Sequence, residues 1–413
     1  MQSVRVLYPL LFWLPAVTGL AAQSEHEPLQ ISTQLQFEQV LESALANAPE
    51  IMEGEVRQQQ ALDYTEVGNS LISGRPSLQM SFYDDRMLDN VGLQEFEYGV
   101  QLPLWRPGER QQARRLGQSY TEQVADWELY LALFIAGRLR VVMMDIQEAE
   151  TLVSLARQAT ADSRELVRVT EALFDAGEVP RLDLMQAQSL LLAQRKEELE
   201  AEAMLIDSEI AYSTLTGLGA RPADLYQETL SELDEITSEH PQLQYLQSEV
   251  ELKDASIHQS EISTLGNPSV TIGTRRERGD RFQTHSDSIG ISVSIPFGAS
   301  SYVSSRVSAA RREKVDAEVL YYNSHRKLSK DLHEVEHDLY LNEQALVLSQ
   351  EQATLAEQRW DMARDAFELG ELTLAPVVIA LQQSRDSSRQ YQQLLLDRQR
   401  LITEYNQIIG VMP

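Results

Sequence analysis

Cysteine is absent from all 413 residues. No disulfide can staple the chain and no lipid can be attached to a cysteine behind a leader, so stability has to come from packing. Basic residues are scarce, with 35 Lys and Arg against 63 Asp and Glu and a formal charge of -28. That balance argues against a basic face for nucleic acid or anionic lipid. Beyond the first 22 residues there is no run of 18 apolar residues, and hence no candidate transmembrane helix. Those first residues carry one cation (Arg5), an apolar stretch from Val6 to Val17 and small residues at Gly19, Ala21 and Ala22. Residues 1–22 therefore read as a cleaved secretory signal, and the mature chain is expected to begin near Ala22 or Gln23, outside the cytoplasm.

Glycine and proline are missing altogether from the 71 residues between Ala299 and Leu369. A helix through them would be a rod of ~105 Å, where an ordinary globular helix has about 11 residues. Apolar positions such as Leu328, Leu332, Val335 and Leu339 recur there every three or four residues. So do Ile135, Leu139, Val142, Ile146, Ala149, Val153 and Ala156 earlier in the chain, which is the period of a coiled coil. A rod of that length requires partner helices. These are predicted from about Arg181 to Thr216, from about Val377 to Ile409, and in two stretches that start near Pro49 and Pro241 and end before Pro76 and Pro268.

The landmarks come in pairs. Pro49 and Pro241, like Pro76 and Pro268, are 192 residues apart; Pro103 and Pro296, Gly177 and Gly370, and Gly217 and Gly410 are 193 apart. Their order is kept, so the mature chain reads as one module used twice, residues 23–217 and 218–413. Each module also has a period-two pair of strands, over about 77–103 and 269–296. Leu78, Met80 and Phe82 lie on one face with Phe96, Tyr98, Val100 and Leu102, while Val270 and Ile272 precede Ile289, Ile291, Val293 and Ile295.

Residues 333–337, HEVEH, match the H-E-x-x-H pattern of zinc hydrolases. His333 and His337 are one helical turn apart, as one metal ion needs, with Glu334 in the place of a water-activating base. A third ligand at Glu357 would stand ~30 Å up the same uninterrupted rod, and both histidines lie opposite the Leu328, Leu332, Val335, Leu339 stripe. The pair therefore reads as a polar helix face. No nucleophile elbow, P-loop or Rossmann glycine pattern occurs where strand meets helix, so neither catalysis nor a cofactor is expected.

Four strands cannot close a barrel, and a sheet facing hydrocarbon cannot leave its edges unpaired. If the strands enter a membrane the chain must oligomerise: two copies give eight strands around a filled interior, and three give twelve around a pore. Phe82, Tyr83, Phe96, Tyr98, Trp105, Phe282, Phe297 and Tyr302 fall near strand ends, as interfacial aromatics do. A small soluble sheet capping a helical rod fits the same alternation.

The duplicated order, the segments LPLWRPGERQQARR and IPFGASSYVSSRVSAARR, and the turns LFDAGEVPRLDLMQAQ and AFELGELTLAPVVIALQQS resemble the TolC-like outer-membrane efflux family over about residues 30–413. The resemblance implies a mainly α homotrimer with a 12-stranded membrane β-barrel continued by a 12-helix periplasmic tunnel. It also implies a passive exit duct in the outer membrane of a Gram-negative bacterium, surrounded by outer-membrane lipid. A periplasmic adaptor would join it to an inner-membrane pump of RND type. LPLW, IPFG and the missing lipidation cysteine lean toward the heavy-metal or cation branch. Family tips carry the adaptor contacts and a closable gate. By position these are Arg164, Leu173, Asp175, Gly177 and Leu182 at the first turn and Phe367, Leu369, Gly370, Leu372 and Thr373 at the second, with Asp183 as candidate gate. The second turn, Leu372 to Ala380, has no acidic counterpart to Asp183, and Pro376 is placed to kink or start the helix after it. The other readings are a soluble periplasmic coiled-coil scaffold and a zinc hydrolase using His333, Glu334 and His337.

Overall fold

The computed structural model describes residues 29–223, 227–298 and 300–413; the expected signal, residues 1–22, lies outside the described residues. Two very long helices, α3 (Glu109–Asp175, 67 residues) and α6 (Ser300–Glu368, 69 residues), run the length of the molecule. At 1.5 Å per residue each is a rod of ~100 Å. Ahead of each stands a shorter helix and a β-hairpin. These are α2 (Ile51–Asn69) with β2 (Ser77–Asp84) and β3 (Gln94–Pro103), then α5 (Pro241–Ser263) with β5 (Ser269–Arg278) and β6 (Ser286–Ser294). Behind each rod a helix returns, α4 (Arg181–Thr216) and α7 (Leu374–Ile408).

Half the rods' length is packed by one set of helices and half by another. Near the sheet α3 lies between α2 and α5, and α5 also packs on α6; toward the far end α3 packs on α4 and α7, and α7 on α6. The apolar period explains why. Trp127, Leu131, Ile135, Leu139, Met143 and Ile146 of α3 form one cluster with Tyr212 of α4. Leu332, Val335 and Leu339 of α6 pack on Ile402, Tyr405 and Ile409. Leu328 and Val142, expected on the same stripes, are only half-buried. The α2–α3 crossing is tight enough that a Cβ on Gly117 would lie 2.9 Å from Thr65 Cα.

The hairpins join into one antiparallel sheet in the order β2-β3-β5-β6. Its register aligns Leu78, Val100, Ile272 and Ile291 in one row and Met80, Tyr98, Thr274 and Ile289 in the next. One face is therefore apolar from the Leu102 row to the Tyr98 row, a band of ~13 Å at the strand rise. In the next row Phe82 and Phe96 stand beside the Arg276–Asp287 ion pair (2.8 Å), and the other face carries Ser, Gln, Gly and Glu.

Three features had not been expected. An extra helix α1 (Phe37–Asn47) precedes α2, and a short strand β1 (Gln30–Ser32) pairs in parallel with β4 (Ala220–Pro222). α7 starts at Leu374, three residues before Val377, because Pro376 falls in the first turn, where its missing N–H has no intrahelical partner to lose.

Candidate functional site

At the far end each rod reverses through a glycine. Gly177 and Gly370 have φ of 82° and 74°, the left-handed region that other residues avoid. Both turns make the same pair of bonds: Gly177 N to Phe174 O (2.9 Å) with Glu178 N to Leu173 O (2.9 Å), and Gly370 N to Phe367 O (3.0 Å) with Glu371 N to Ala366 O (2.9 Å). These are the bonds of a helix-closing Schellman motif, which satisfies the last carbonyls of each rod.

The predicted tip residues divide into two kinds. Phe367 is 1 % exposed and sits in a cluster with Leu166, Ala187, Trp360, Leu374, Val377 and Leu381, with Leu173 and Leu372 packed against it. Those three side chains hold α3, α4, α6 and α7 together and are not free to meet a partner. Arg164, Asp175, Gly177, Leu182, Leu369, Gly370 and Thr373 are exposed, and Asp183 is half-buried. The free tip surface is acidic at Asp175, Glu178, Glu368 and Glu371.

The molecule also has two unfinished edges. β2 and β6 bound the sheet, α2 and α4 continue the first edge, and α6 continues the second. Along α6, Leu341, Leu348, Leu355, Met362 and Leu369 repeat every seven residues and are 50–75 % exposed; along α4, Met185, Leu192, Leu199 and Ile206 do the same at 36–66 %. A seven-residue apolar repeat is the seam of a coiled coil, yet among the described residues neither seam has a partner. Measured from the tip, Leu199 stands ~27 Å up α4 and Leu348 ~30 Å up α6, so the two seams occupy the same levels. The spacing was present in the sequence; what it lacked was knowledge of which apolar residues the chain itself covers.

The polar face of the sheet is concave around a hollow of about 320 Å³ lined by Gln79, Ser81, Glu97, Gly99, Arg275 and Ser292 among others. Arg275 bridges Glu95 (2.6 Å), Glu277 (2.8 Å) and Glu97 (3.8 Å) there. On the apolar face the rings of Phe82 and Phe96 pack with centroids 4.5 Å apart, tilted by 37°, at the end remote from the helices. At the helix end Trp105 donates from Nε1 to Ser70 O (3.1 Å), while Phe297 and Tyr302 are exposed.

His333 and His337 point to solvent, and Glu334 is held by Lys330 at 2.6 Å. Among the described residues no group of three His, Cys, Asp or Glu is placed to hold a metal ion, and no helix is long and apolar enough to cross a membrane.

No family model and no curated protein matches the sequence. Solved structures do. The CmeC outer membrane channel of Campylobacter jejuni superposes with a TM-score of 0.70 at 15 % identity, over 99 % of this chain and 94 % of that one. The outer membrane protein VceC of Vibrio cholerae gives 0.72 at 13 %, over 91 % and 96 %. CusC, whose structures describe folding and transmembrane channel formation, gives 0.71 at 13 %, over 94 % and 97 %. At such identity the likeness speaks for the fold, and it spans nearly the whole of each chain. The fold is that of these outer-membrane channels.

Proposed function

We propose that the chain is the outer-membrane channel of a tripartite efflux system, a passive trimeric duct. The observation that carries this reading is the pair of unfinished edges. Strands β2, β3, β5 and β6 alternate in direction, so β6 of one copy meets β2 of the next antiparallel, as the sheet already continues within the chain. The same head-to-tail step sets the α6 seam against the α4 seam at matching levels, and repetition of one such step closes a ring. Three copies give a barrel of 12 strands around a lumen. The apolar rows, bounded by the Arg276–Asp287 pair, then face lipid, as the outward face of an outer-membrane barrel does, and the polar hollow faces the bore.

The duct does no chemistry. Its cargo, metal cations or small toxic compounds, is delivered by an inner-membrane pump through a periplasmic adaptor, whose docking surface is the exposed part of the tip around Gly177, Gly370, Leu182 and Leu369. Asp183, half-buried at the start of α4, is repeated three times around the axis and forms the constriction. Cell fractionation tests the reading: the protein should follow outer-membrane markers as a heat-sensitive trimer. A monomer in the soluble periplasmic fraction would favour the coiled-coil scaffold instead.

A further inference from the structure

Midway along the molecule each returning helix ends against the segment just ahead of the helix that leads to the sheet, α1 before α2 and His240 before the body of α5, and the two joints are fastened by different side chains. In the first, Asn47 Nδ2 donates to the carbonyls of Thr214 (3.0 Å) and Leu215 (3.1 Å) at the end of α4, and Ser43 Oγ donates to Thr216 O (2.9 Å). In the second, the end of α7 is met by His240, the N-cap of α5. Its Nδ1 accepts from Gln242 N at 3.1 Å, and its Nε2 lies 3.1 Å from Ile408 O. A carbonyl only accepts and a backbone N–H only donates, so both bonds together require a neutral ring protonated on Nε2. The asparagine amide keeps its donors at any pH; the imidazole keeps its acceptor only while neutral.

We infer that His240 makes the α7–α5 joint an acid-released fastening that the α4 joint lacks. A proton on Nδ1 turns the acceptor toward which Gln242 N points into a second donor, so the cap of α5 is lost. It also sets a cation against the N-terminal amides of α5, where the helix dipole opposes it. The ring is 3 % exposed and cannot swing aside, since Gly410 passes so close that a Cβ there would lie 2.7 Å from His240 Cδ2. Among the described residues no carboxylate compensates the charge. Glu239 beside it is exposed, Glu228 of the linker is bound to Arg140 of α3, and no charged side chain on α5 or α7 acts on the ring.

Burial holds the imidazole below its usual value of 6.5, while in the opened joint it returns to the ordinary range. The fastening is thus fully present above that ordinary value and weakens as pH falls through it, until the depressed value is passed. Over that interval the open fraction rises by up to about tenfold per pH unit.

Hydrogen exchange on the full-length chain in detergent, corrected for intrinsic rates, reads both joints between pH 7.5 and 5. In the wild type, protection of residues 240–246 and 404–411 should fall with acid relative to residues 43–47 and 212–217. H240N, which imports the side chain of the first joint, should lose this acid dependence. H240A should lose it too, with the joint loosened already at neutral pH. An undiminished acid slope in H240N and H240A, or a flat profile in the wild type, would overturn the inference. None of these outcomes depends on whether the trimer conducts.

Discussion

Replacing Arg140 by leucine should loosen the middle of the molecule. Its guanidinium is 3 % exposed and bidentate with Glu228, Nε to Oε1 at 2.6 Å and Nη2 to Oε2 at 3.0 Å, and it also reaches Val411 O (2.9 Å) and Gln407 Oε1 (2.5 Å). Glu228, equally buried, keeps only the Asn406 amide at 2.7 Å once the arginine is gone. Breaking a buried pair from one side costs about 3–5 kcal/mol, because the remaining charge is stranded. Residues 228–233 are a strap from the first half of the chain to the second, tied also by Ser231 N to Asn406 and by Tyr405 OH to Leu233 O. Local opening of the strap should therefore speed its hydrogen exchange by on the order of a hundred- to several-thousand-fold, at 1.36 kcal/mol per decade. Removing both charges, Arg140→Leu with Glu228→Leu, leaves no stranded ion, so most of the loss should be recovered. A single substitution that changes exchange by less than tenfold, or a double as damaging as the single, would refute the reasoning.

At the tip, Gly177→Val or Gly370→Val forces a β-branched residue to positive φ at a cost of roughly 1–2 kcal/mol; trimers should still form on a non-denaturing gel while export, read as resistance, is lost. Unchanged resistance would remove the docking assignment. Gly117→Val places a Cβ 2.9 Å from Thr65 Cα. The forced separation of α2 and α3 should lower stability by about 1–3 kcal/mol in a thermal melt, and an unshifted melt would contradict the tight crossing. His333→Ala with His337→Ala should leave export and metal content unaltered, whereas loss of one bound zinc per chain would revive the hydrolase reading.

Much of the architecture was legible because its signals are long. A stretch without breakers set the α6 rod to within a residue at either end, and period-two alternation located both hairpins and their apolar face. Short elements were not legible. β1 and β4 are three residues each and pair across 190 positions, which no local pattern announces. The fastenings at Asn47, Arg140 and His240 depend on partners 88 to 271 residues away, and isolated polar residues give no sign of burial. At the tip, the glycines and the turn were readable from sequence, but not that Phe367, Leu173 and Leu372 point inward while Leu182 and Leu369 point out. Helical spacing alone cannot separate a seam the chain fills from one it leaves open, which is why the apolar repeats of α4 and α6 emerged only in three dimensions.

With no native cysteine to interfere, a pair introduced at Leu199 on α4 and Leu348 on α6 tests the head-to-tail assembly directly. Both edges belong to every copy, so oxidation of membranes carrying the double variant should give a covalent ladder ending at three chains, and either single variant should give no ladder. Failure of the double variant to cross-link under the same oxidation, or a ladder that stops at two, would contradict a ring closed along these edges.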